Sequence, residues 1–122
     1  MPAHIVIVYN EPAFLDAICA ALSANGKSVF AYSDAMQALD ALEGPTTTDV
    51  LVTRVDFGPG KLNGVALARM AQFWRPEVKV LFVAQTENKE HTTGVGDLLT
   101  EPAAVLDIVA AVDRLLAETE IA

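Results

Sequence analysis

The sequence predicts an α/β domain in which five short strands form a parallel sheet covered by helices on both faces. Three observations point to that class. Apolar runs of strand length recur at HIVIVY (4–9), SVFAYS (28–33), DVLVTRV (49–55), VKVLFVA (78–84) and within GVGDLLT (94–100). Between them, apolar residues return at helical spacing. The runs are near-continuous rather than alternating, which suits strands buried on both sides of a parallel sheet. Alternating strands and helices then imply right-handed crossovers within one sheet.

Each element has its own start and stop signals. After the first strand, Asn10 is placed to cap a helix with Pro12 in its first turn. Leu15, Ile18, Cys19 and Leu22 line that helix, and Asn25-Gly26 ends it. Asp34 caps a short second helix carrying Met36, Leu39 and Leu42, which stops at Gly44-Pro45. The segment DFGPGKLNG reads as a loop from its glycine and proline content. Asn63 opens a third helix through Leu67, Met70 and Phe73, stopped by Arg75-Pro76, with Trp74 as core or rim anchor. Glu101-Pro102 introduces the last helix, with Val105, Ile108, Val109, Val112 and Leu116 inward.

Composition narrows the function classes. The chain has 122 residues, 52% hydrophobic and 20% charged, which suits one well-filled domain and excludes disorder. No apolar run approaches membrane-spanning length, and MPAHIVIVYNEP is not a signal peptide. A single cysteine, Cys19, allows no internal disulfide and fits a cytoplasmic location. The formal charge of −8, with no offsetting Lys/Arg stripe, argues against nucleic acid as a partner. His4 and His91 have no cysteine near them in sequence and do not make a metal motif. GPGKLNG is not a phosphate-binding P-loop, because Leu62 follows the lysine where Ser or Thr is needed. No nucleophile-elbow pattern supports hydrolase chemistry.

In a sheet of this kind, sites lie beyond the carboxyl ends of the strands. Those ends are Tyr9-Asn10, Arg54, Ala84 and Thr100-Glu101. A full positive charge at the end of the third strand is therefore aimed at the place where a site would be.

Taken together, IVIVYNEP, NGKSVFAYSDAMQALDAL, DVLVTR, NGVALARM, PEVKVLFVA and GVGDLLTEP resemble the receiver domain of two-component response regulators. The resemblance runs from residue 3 to 118. It implies a flavodoxin-like (CheY-like) three-layer αβα sandwich with strand order 2-1-3-4-5. It also implies a bacterial signalling protein, as one receiver domain over 1–122 with no output domain. The segment QTENKEHTTGV is shorter than its counterpart in receivers, so the fourth helix is expected to be a single turn or absent.

Receivers carry an acidic pair after strand one, which holds Mg²⁺ together with a phospho-accepting aspartate at the end of strand three. A Thr or Ser ends strand four, and a lysine precedes a proline after strand five. Carboxylates suit a hard octahedral cation, and cation and lysine neutralise the transferring phosphoryl group. Here the acidic pair falls on Tyr9 and Asn10, with Glu11 beside them. The acceptor falls on Arg54, the hydroxyl on Ala84, the lysine on Glu101 and the switch aromatic on Leu98. The chain thus resembles a pseudo-receiver without phospho-acceptor, metal site or cofactor. The family's acid and base have changed places, so Arg54 and Glu101 are expected to form a charge-assisted pair.

The reading that follows is a non-enzymatic, stand-alone receiver acting through a protein partner, such as a kinase, a phosphotransfer protein or a regulator. Two alternatives stay open: phosphorylation at a displaced acid such as Asp56, and a flavodoxin-like domain binding a small ligand. The outward positions of the first and last helices are rich in alanine. Phe14, Ala17, Ala21, Ala103, Asp107, Ala110, Ala111 and Arg114 are candidate contacts of a homodimer there.

Overall fold

The computed structural model describes residues 3–45 and 47–121. The strands are β1 (His4–Val8), β2 (Ser28–Tyr32), β3 (Val50–Arg54), β4 (Lys79–Ala84) and β5 (Asp97–Thr100). All pair in parallel, in the order β2-β1-β3-β4-β5 expected from the sequence. The helices are α1 (Pro12–Ala24), α2 (Ala35–Glu43), α3 (Gly64–Trp74), α4 (Lys89–Thr92) and α5 (Val105–Ile121). Between β4 and β5 stand only a 3-10 turn, Thr86–Asn88, and the one-turn α4, as the short connecting segment requires.

Alternating strand residues feed two cores. Ile5, Ile7, Tyr9, Val50, Val52, Leu81 and Val83 pack with Leu15, Ile18 and Leu22 of α1 and Ile108, Val112 and Leu115 of α5. Val6, Val8, Leu51, Val80 and Phe82 pack with Ala35, Ala38 and Leu42 of α2 and Leu67, Ala68 and Ala71 of α3. The inner strands are buried on both faces, which explains their unbroken apolar runs. β2 departs from that expectation. As an edge strand it pairs only with β1, and its Phe30 is exposed.

The helical faces also differ from the sequence reading at particular residues. Met36, Met70 and Phe73 point outward, with Phe73 83% exposed. A strict three-residue spacing falls about 60° short of a full turn at each step, so Phe73 has rotated away from the face that Leu67 defines. Small residues hold the face instead. The buried set of α3 is Gly64, Leu67, Ala68 and Ala71, at i, i+3, i+4 and i+7. In α2 it is Ala35, Ala38 and Leu42. In α5 the buried line is Ile108, Ala111, Val112 and Leu115, with Val105, Val109 and Leu116 partly buried beside it. Ala111, expected outward, is only 3% exposed and belongs to the core.

Asp34 and Asn63 cap α2 and α3 as read from sequence. The Asp34 carboxylate accepts from the amides of Met36 and Gln37, and Asn63 Oδ1 accepts from the Val65 amide. Asn10 does not cap α1. The N-cap is Glu11, without a side-chain bond, because the Asn10 side chain is taken up elsewhere.

Candidate functional site

Strand parity assembles the site. Tyr9 continues the Ile5–Ile7 row, and Arg54 the Val50–Val52 row, so both point to the α1/α5 side of the sheet's carboxyl edge. Glu101 follows β5 and is fixed by its own backbone, whose amide donates to the Ala84 carbonyl at 2.8 Å. The Glu101-Pro102 peptide is cis. Three strand ends thus bring a phenol, a guanidinium and a carboxylate to one point.

Arg54 Nη2 donates to both Glu101 carboxylate oxygens, Oε1 at 2.9 Å and Oε2 at 3.1 Å. One nitrogen spans both oxygens because Nη1 is turned the other way, donating to Asn10 Oδ1 at 2.8 Å. Nη1 also lies 3.6 Å from Glu11 Oε1. The guanidinium carbon sits 5.0 Å from the centroid of the Tyr9 ring, within cation–π range. The Tyr9 hydroxyl donates to Glu101 Oε2 at 2.8 Å, and its ring stacks at a tilt on Phe14, 5.0 Å between centroids. Arg54 and Glu101 side chains are 21% and 12% exposed, so the pair is largely withdrawn from water.

Titration follows from this enclosure. Burial pushes the Tyr9 phenol up from its ordinary value, and the hydrogen bond to the Glu101 carboxylate pushes it the same way. Burial works against the Arg54 cation. The hydrogen bond and charge of Glu101, with help from Tyr9 and Glu11, outweigh it and hold the guanidinium above its ordinary range.

Behind the pair, the backbone is held from α3. The Gly64 amide donates to the Val55 carbonyl at 2.8 Å, and a Cβ on Gly64 would stand 1.8 Å from the Arg54 carbonyl oxygen. Only glycine lets the start of α3 come so close to the end of β3. Beside the pair opens a cleft of about 500 Å³, lined by Asn10, Arg54, Asp56, Phe57, Gln85 and Glu87 among others.

The remaining residues singled out by sequence fall as follows. Ala84 is buried at the end of β4, and Leu98 packs into the α2/α3 core. Asp56 is exposed, and its Oδ1 accepts from the Gly58 amide at 2.9 Å in a local loop turn. Among the described residues, no cluster of three His, Cys, Asp or Glu side chains could hold a metal ion. On the α1–α5 side, Ala17 and Ala110 are exposed, Phe14 and Ala103 pack against the core, and Ala21 is half-buried. Asp107 accepts from the Ala104 amide, and Arg114 pairs with Asp97 at 3.3 Å. Sequence reasoning placed Tyr9 and Asn10 at the end of β1 and gave Asn10 a capping role. That they bind Glu101 and Arg54 was missed, and the signal available was their place at the end of β1, next to β3 in the strand order.

No family model matches this chain, and no curated protein does. Solved structures do. The response regulator receiver protein of Sinorhizobium medicae superposes with a TM-score of 0.85 at 22% identity, covering 95% of each chain. The CheY-like receiver domain of Methanospirillum hungatei gives 0.87 at 22%, covering 98% of each. The signal receiver domain of an HD domain-containing protein from Pseudomonas fluorescens gives 0.85 at 16%, covering 100% of each. At such identities the shared property is the fold, and this chain has the CheY-like fold of response regulator receiver domains.

Proposed function

We propose that this chain is a pseudo-receiver of two-component signalling. It acts by contact with a protein partner (a kinase, a phosphotransfer protein or a regulator), without phosphorylation, bound Mg²⁺ or enzymatic activity. One observation carries the reading. The position where receivers of this fold carry their acceptor aspartate holds the Arg54 guanidinium, bonded through Nη1 to Asn10 and through Nη2 to Glu101. An arginine cannot form an acyl phosphate. The residues around it do not fit Mg²⁺ either, since a fixed cation fills the centre and the Asn10 oxygen is already bonded to it. Asp56, the displaced acid that could substitute, is exposed and engaged with its own loop. The negative average field of a formal charge of −8 repels polyanions and favours a protein over nucleic acid as the partner.

The test is an amide NMR spectrum titrated with Mg²⁺ and then with beryllofluoride, the phosphoryl mimic. The expected outcome is an unchanged spectrum with the fold intact. Saturable shifts clustered at residues 9–11, 54–58, 84–86 and 100–102 would overturn the reading and point to Asp56.

A further inference from the structure

The described residues include six exposed large hydrophobic side chains, and four of them lie on α2 and α3: Met36, Met70, Phe73 and Trp74. Leu39, Met70, Phe73 and Trp74 line a groove of about 450 Å³ between the two helices, with Glu43 and Arg69 at its rim. A concentration of this kind on one face marks a contact surface, since single exposed apolar residues are ordinary and clustered ones are not.

The charges on this face say what covers it. Every charge within α2 is acidic, Asp40 and Glu43, and the one charge within α3 is basic, Arg69, with Arg75 following at its C-cap. Among the described residues, Asp40, Glu43 and Arg69 enter no ion pair, although Glu43 and Arg69 border the same groove. We propose that the α2–α3 face is the interface of a symmetric homodimer in which α2 of one copy lies along α3 of the other.

Two-fold symmetry offers two ways to lay this face on itself. An axis running along the helices puts the acidic α2 on the basic α3 twice over. An axis across the helices lays α2 antiparallel on α2 and α3 on α3, bringing Asp40 and Glu43 toward the acids of the other copy and Arg69 toward its own copy. Charge selects the first, and like-charge juxtaposition excludes the second. The same contact removes Phe73 and Met70 from water at the centre of the interface, where aromatic anchors contribute most. The dimer does not depend on whether the Arg54 site takes a phosphoryl group, so it stands or falls apart from the proposed function.

Sedimentation velocity across a concentration series tests it. The wild type should dimerise, and Phe73→Glu should weaken the dimer by roughly a thousandfold, about thirtyfold for each of the two copies of Phe73 that the symmetric interface loses. Arg69→Glu and the double variant Asp40→Arg/Glu43→Arg should each be monomeric. Their equimolar mixture should dimerise again, because each α2–α3 contact then pairs opposite charges. All four side chains are exposed, so the variants should keep the wild-type circular dichroism. Should Phe73→Glu fail to fold, Phe73→Gln takes its place. A wild type that stays monomeric at the highest concentration overturns the proposal. So does a mixture that stays monomeric, or a dimer split by Ala17→Glu or Ala110→Glu and indifferent to the α3 changes.

Discussion

Removing Arg54 would leave the Glu101 carboxylate nearly enclosed, with only the Tyr9 hydroxyl to satisfy it. Removing Glu101 would leave a guanidinium facing Asn10 and Glu11 across a partly dry pocket. Arg54→Ala and Glu101→Ala should each cost about 2–3 kcal/mol, somewhat below the value for a fully buried pair because some water reaches both groups. The double variant should fall short of the sum by about 1 kcal/mol in urea unfolding, and simple additivity would show that the pair is not coupled. Tyr9 adds a pH signature. Its folded-state phenol binds its proton more tightly than the unfolded one, whose ordinary value is 10.0. Its contribution is therefore complete below that value and is lost as pH rises above it. Stability should fall above pH 10 in the wild type and fall less steeply in Tyr9→Phe, measured as urea midpoints at stepped pH. The Arg54–Glu101 pair was legible in the sequence because each residue sits at a strand end. The contributions of Tyr9 and Asn10 were not, since they depend on which side of the pleat each side chain takes beside its neighbour.

At the scale of elements, caps and stops were legible because their chemistry is local. Asp34 and Asn63 announce α2 and α3 with side-chain oxygens that reach the first free amides. Asn10 has the same chemistry and was misassigned, because a long-range donor, the Arg54 guanidinium, wins its oxygen. Helix rotation was the other loss. Bulk favours Met36, Met70 and Phe73 as core residues, yet alanine and glycine, with Leu42 and Leu67, hold the inner faces of α2 and α3. Close packing against the sheet needs small side chains there, and size alone does not reveal it in sequence. Asp34→Ala should cost about 1 kcal/mol. Gly64→Ala should cost about 3 kcal/mol, since a methyl group would be driven into the Arg54 carbonyl and the backbone must shift. Thermal or urea unfolding of the two variants ranks them, and a mild Gly64→Ala would mean that α3 can slide at its start.

At the scale of the molecule, the alternation of strands with helices, and with it the sheet order, was the most legible feature. It rests on many weak signals that agree, each strand run, cap and turn pointing to the same topology. The shortened β4–β5 connection was legible as missing length, and the chain satisfies it with a 3-10 turn and the single turn of α4. What the whole sequence could not convey is how its surface is divided. The net charge of −8 is an average that conceals a basic α3 beside an acidic α2. Among the described residues no helix is long and apolar enough to cross a membrane.

The bond from Arg54 to Glu101 also bears on how such a molecule could carry information. A receiver that changes state reports through the fraction of molecules switched at any moment. On the proposed reading, with the Arg54 guanidinium held by Asn10 and Glu101 where an acceptor would stand, every copy of this chain is in the same state. The message is then a dose, set by how fast the chain is made and how fast it is destroyed.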